Sequence, residues 1–140
     1  MTSGKCLKSA ACATALLLLT TASAGATEKA QVEFVPVTTA PPAPVGLKLM
    51  CLTNPRTITL SKNCPVVKYQ GLTTWAYTHY DNRDSMVLVT TTPDGKVVRN
   101  VTKDGLHWVW NMVTSAKTRS VLIEGYQNKS VTVPWSELGR

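Results

Sequence analysis

The sequence predicts an all-β domain, a small antiparallel meander closed into a sandwich or barrel, preceded by a signal peptide and a proline-rich spacer. Three observations predict it. Beyond residue 46 no stretch carries the 3.6-residue apolar period of an amphipathic helix. Short runs rich in Val, Thr, Ile, Trp and Tyr recur instead, at spacings of about 8 to 12 residues. Turn-forming pairs such as Asp94-Gly95 and Asp104-Gly105 separate several of them.

The chain opens with two lysines, Lys5 and Lys8, followed by an apolar run from Ala10 to Leu19 and a string of small residues. That layout is a secretory signal peptide, with cleavage after Ala24 or Ala26. The apolar run is shorter than the roughly 20 residues a membrane-spanning helix needs, and no second run follows, so no stable span is expected after cleavage. Cys12 precedes most of the apolar run, which is the wrong place for a lipidated cysteine. The expected destination is the periplasm or the extracellular medium.

Cleavage would remove Cys6 and Cys12 from the 4 cysteines and leave Cys51 and Cys64. An even pair in an exported chain reads as a disulfide, where the same pair in the cytosol would be ambiguous. Closing this loop restricts the unfolded chain and stabilises the fold by roughly 3 kcal/mol. Zinc fits poorly, because two cysteines and the distant His79 and His107 do not make a compact ligand set. No cofactor or metal motif is present, nor a Gly-x-Ser-x-Gly elbow or a phosphate-cradling glycine-rich loop.

With Lys5 and Lys8 gone, 13 Lys and Arg face 8 Asp and Glu, a net charge of +5. The positive charges are spread singly, which argues against a nucleic-acid surface and is what a solvated basic protein shows. Residues 25–46 contain Pro36, Pro41, Pro42 and Pro44 and read as a flexible spacer. The folded unit is expected from Leu47 to Arg140, a small single domain in which a disulfide matters.

Within that unit the expected strands are Leu47 to Leu52, Thr57 to Leu60, Pro65 to Gln70, Leu72 to Tyr80, Met86 to Thr92, Lys96 to Thr102, Leu106 to Val113, Arg119 to Gly125 and Ser130 to Trp135. Gly71 reads as a bulge or a bend within one long strand. Pro93-Asp94-Gly95 and Lys103-Asp104-Gly105 read as hairpin turns, and Gln127-Asn128-Lys129 as the last one. Pro134 cannot donate to a ladder, so the final strand belongs at an edge. Period-2 alternation puts Leu106, Trp108, Trp110 and Met112 on a core face, with Trp135 closing one end and Trp75 also buried.

The stretch Trp75-Ala-Tyr-Thr-His-Tyr-Asp-Asn-Arg-Asp84 concentrates rings and charges. Alternation sets Trp75, Tyr77 and His79 opposite Ala76, Thr78 and Tyr80, and leaves open which face is buried. Asp81-Asn82-Arg83-Asp84 carries turn chemistry and an exposed ion pair as its simplest account. The functional account makes Tyr77, His79, Tyr80, Asp81, Arg83 and Asp84 a contact surface, rings stacking and charges hydrogen-bonding. The function expected is therefore a non-catalytic β binding module for a carbohydrate or a protein at the envelope or outside the cell. The alternatives are an inhibitor or immunity-type interaction partner, and a small hydrolase using Asp81 and Asp84 as its carboxylate pair.

Overall fold

The computed structural model describes residues 28–79 and 85–139. The expected signal peptide lies outside them. The described chain forms nine strands: β1 (Gln31–Pro36), β2 (Leu47–Lys48), β3 (Asn63–Tyr69), β4 (Leu72–His79), β5 (Ser85–Thr91), β6 (Val97–Asp104), β7 (Val109–Ser115), β8 (Ser120–Gly125) and β9 (Ser130–Pro134). Between them come only single 3-10 turns. All strand pairs are antiparallel. Six strands form one sheet in the order β1-β3-β4-β5-β6, with β2 paired to the far end of β4, and β7-β8-β9 form a second.

The two sheets meet across a core that takes Val67, Ala76, Met86 and Leu88 from the larger and Val109, Met112, Val121, Ile123 and Val133 from the smaller. Trp135 closes this core at 1% exposure, its indole N–H donating to Thr114 Oγ1 at 3.1 Å. The Thr74 and Thr90 hydroxyls, a cross-strand pair, share a hydrogen bond of 2.8 Å, which satisfies two polar groups that burial would otherwise penalise.

A second core lies on the other face of the large sheet, where Trp75, Tyr77, Val66, Val87 and Val89 pack against Leu47 and Cys51. Both faces of the strand 72–79 are therefore buried, and β5 is buried at every position. Central strands covered on both sides lose the apolar-polar alternation that one-sided strands keep. β8, covered on one face only, retains it.

What covers the second face corrects the reading of residues 25–46 as a spacer. β1 pairs with β3 over its whole length, from Gln31 opposite Lys68 to Pro36 opposite Asn63. Val35, Val37, Ala40 and Leu49 then lie on the second core, and the buried Tyr77 hydroxyl donates to the Pro41 carbonyl at 3.1 Å. Proline cannot serve a central ladder, but it suits an edge strand and an extended strap that needs no amide donors of its own. The Cys51–Cys64 disulfide, with Cα atoms 5.4 Å apart, fastens the end of this strap to β3.

Several connections also differ from the expected meander. Gly71 is neither bulge nor bend: Tyr69 pairs with Leu72, and Gln70 and Gly71, at φ 53 and 75, make a two-residue hairpin between antiparallel strands. The turn at Lys103-Asp104-Gly105 is not a hairpin, since β6 pairs only with β5 and the chain crosses there to the second sheet. Of Leu47 to Leu52 only two residues form a strand, while Cys51 and Leu52 make single bridges to Val109 and Leu60. Thr57 to Leu60 forms no strand, because Asn54 Oδ1 captures the amides of Arg56 and Thr57 and holds the segment in a side-chain-closed turn. The turn at Pro93-Asp94-Gly95 does join β5 to β6 as a hairpin, and Gln127 and Asn128 close β8 onto β9.

Candidate functional site

Tyr77 does not belong to a surface. It is 1% exposed, its hydroxyl is spent on Pro41, and burial pushes its pKa above the ordinary tyrosine value. His79 ends β4 half-buried, opposite Leu47. Tyr80, Asp81, Arg83 and Asp84 lie outside the described residues, and so does the hydrolase reading built on Asp81 and Asp84.

The same end of the large sheet carries rings that period-2 reasoning assigned elsewhere. The chain enters β7 with Trp108 in the left-handed region, φ 55, a conformation a bulky side chain rarely adopts. Immediately after it the register slips, with Val109 opposite Gly125 and Asn111 opposite Glu124, so Trp110 sits on a bulge. With residues 106–108 outside the strand and the slip within it, Leu106, Val109 and Met112 face inward at 0%, 2% and 3% exposure, and Trp108 and Trp110 are left half-buried. The expected core face of Leu106, Trp108, Trp110 and Met112 is thus wrong at both tryptophans, because β7 begins only after the left-handed Trp108 and a bulge at Trp110 then interrupts the alternation. Trp75, Met112 and Trp135 are buried.

Trp108 stands between two other rings. The His107 ring lies 4.4 Å from it between centroids, and the Tyr126 ring meets it edge-on at 5.5 Å. Three backbone contacts hold the group in place. The Trp108 amide donates to Thr78 Oγ1 at 3.2 Å, tying the ring to the residue before His79. The Tyr126 amide donates to the Trp108 carbonyl at 3.1 Å, and the Gln127 amide to the Pro55 carbonyl at 2.8 Å. Gly125 allows the close approach, since a Cβ there would stand 2.3 Å from Leu106 Cδ1 and 2.9 Å from the His107 carbonyl oxygen.

The result is a rigid, half-exposed aromatic cluster at the end of the domain where β4 finishes and β5 begins. Its rings can stack and can hydrogen-bond through their edges. Among the described residues no three His, Cys, Asp or Glu side chains gather as metal ligands. Also among the described residues, no helix is long and apolar enough to cross a membrane. Sequence reasoning placed Trp108 in the core and passed over His107 and Tyr126 as strand and turn residues. The only local sign was the run Gly105-Leu-His-Trp, a glycine leading into two adjacent rings. No protein-family model, curated protein or solved structure matches the chain.

Proposed function

We propose that this protein is an exported, disulfide-stapled binding module that recognises a carbohydrate at the cell envelope or outside the cell through the His107, Trp108 and Tyr126 rings. The observation that carries the reading is Trp108: a half-exposed indole held in a backbone conformation that costs of order 1 kcal/mol or more, which a protein retains where the surrounding structure over-determines it and function uses it. Sugar rings present flat C–H faces that stack on such indoles, while hydroxyls pair with ring N–H and O–H groups. The disulfide supports passage through an oxidising compartment.

The test is a mixed glycan array probed with the oxidised protein beside Trp108→Asn and Tyr126→Ala variants. Asparagine tolerates the left-handed backbone, so the first variant removes the ring without adding strain. Selective glycan binding lost in both variants supports the reading; binding unchanged in both refutes it. A second reading, recognition of a protein by strand addition, rests on β1, an edge strand of its sheet on which Phe34 is 55% exposed. Stoichiometric capture of one protein partner, abolished by Phe34→Lys and indifferent to Trp108→Asn, would favour it.

A further inference from the structure

At the other end of β4 the second face of the large sheet is left partly open. The strap that covers Tyr77, Val87 and Val89 turns away at Pro41 and Pro42, and a groove of about 700 Å³ remains between it and the β5–β6 hairpin. That size is within the range of small-molecule sites. Its floor is the cross-strand pair Thr73 and Thr91 with the edge of Trp75. Threonines replace, at this end, the valines that meet the strap further along β5. The opening therefore follows from a change of side chain as well as from the turn of the strap.

The charges around this groove run against the rest of the molecule. Glu28 borders it on the β1 side and Asp94 on the hairpin side, with Lys68 as the one cation among its lining residues. The formal charge of the lining is thus negative, on a chain whose net charge is +7. Both carboxylates are held in place before any ligand arrives. Glu28 accepts the Gln70 amide at 2.6 Å, and Asp94 accepts the Thr92 hydroxyl. That hydroxyl, with the amides of Asp94 itself and Lys96, keeps the Asp94 carboxyl below the usual aspartate range, so it stays ionised into mildly acidic solution. Each carboxylate retains further acceptor sites, since two oxygens offer about four lone-pair directions.

We infer that this groove is a second ligand site, distinct from the aromatic cluster, and that it takes a small amphipathic monocation: an amine or guanidinium on a flat apolar stem. The stem lies against Pro41, Pro42 and the edge of Trp75, and the cationic head lies between Asp94 and Glu28. Lys68 offsets one of the two carboxylates, which favours a single positive charge over a polyamine.

The experiment is a titration of the ¹⁵N-labelled oxidised protein with 2-phenylethylamine, with 2-phenylethanol and phenylacetate as the neutral and anionic isosteres. The Trp75 indole N–H and the amides of Gly71, Thr92 and Gly95 report the groove; those of Trp108 and Tyr126 report the aromatic cluster. The amine is expected to shift the groove signals saturably, with the two isosteres much weaker. Asp94→Asn and Glu28→Gln should each weaken the amine about two- to fivefold, the scale of a solvent-exposed ion pair. An equal response to the alcohol, shifts confined to the aromatic cluster, or no saturable shift in the tens of millimolar would each overturn the inference. None of these outcomes bears on glycan binding at Trp108, so the two sites are tested separately.

Discussion

Replacing both Cys51 and Cys64 by alanine removes the one covalent tie between the strap and the sheet it covers. The closed loop has a sequence separation of 13, for which restriction of the unfolded chain contributes about 3 kcal/mol. The side chains themselves contribute less, since alanine keeps part of the packing. For a domain of this size a loss of about 3 kcal/mol corresponds to a fall in Tm of about 10 to 20 °C. The structure adds a kinetic expectation: Cys51 and Cys64 are 3% and 1% exposed, so a reductant added to the native protein acts slowly and only after local opening. Thermal unfolding followed by near-ultraviolet circular dichroism, which senses the packed Trp75, measures the first, and the same signal followed in time after adding reductant measures the second. A double variant that melts within about 2 °C of the oxidised protein would refute the reasoning, because the strap would then be held by its noncovalent contacts alone.

Tyr77→Phe removes the hydroxyl that donates to Pro41, at an expected cost of about 0.5 to 1.5 kcal/mol by urea denaturation. Because burial raises the Tyr77 pKa in the folded state, its contribution is fully present below the unfolded value of about 10 and is lost as pH rises through the folded value. The variant should therefore lose less stability than the parent between pH 9 and pH 11, and an identical alkaline slope would count against the assignment. Gly125→Ala places a methyl group against Leu106 and the His107 carbonyl; a loss of about 1 to 3 kcal/mol is expected, with displaced Trp108 and Tyr126 ring signals in the NMR spectrum. A neutral Gly125→Ala would mean the aromatic cluster is softer than its contacts imply. Trp108→Gly relieves the left-handed backbone, so its unfolding free energy should fall by less than that of Trp110→Gly, a comparison open to the same denaturation assay.

Much of the strand content was legible because it is local. Val and Thr runs between Gly, Asp and Pro turns mark β4 to β9 to within a few residues of where they form. The Asp94-Gly95 hairpin follows from two residues that fit its geometry. The candidate site was legible only in part. His79 ends β4 half-buried opposite Leu47, while Tyr77, which shares its face by alternation, is a core residue with its hydroxyl satisfied. Trp108 and Trp110 could not be placed by alternation, because Trp108 takes a left-handed backbone just before β7 and the extra residue at the bulge then shifts which side chains face inward.

The sequence by itself determined the all-β class and most turn positions, since each depends on residue types a few positions apart, and the Cys51–Cys64 pair expected from it is bonded in the structure. Only the tertiary structure decided that the proline-rich segment is a working part of the domain. Gln31 pairs with Lys68, and Pro41 receives the hydroxyl of Tyr77, contacts between residues more than thirty positions apart that no local pattern encodes. A proline-rich stretch is written the same way whether it floats in solvent or lies along a sheet. The difference is an apolar face waiting to be covered, and that face exists only once β3, β4 and β5 have come together.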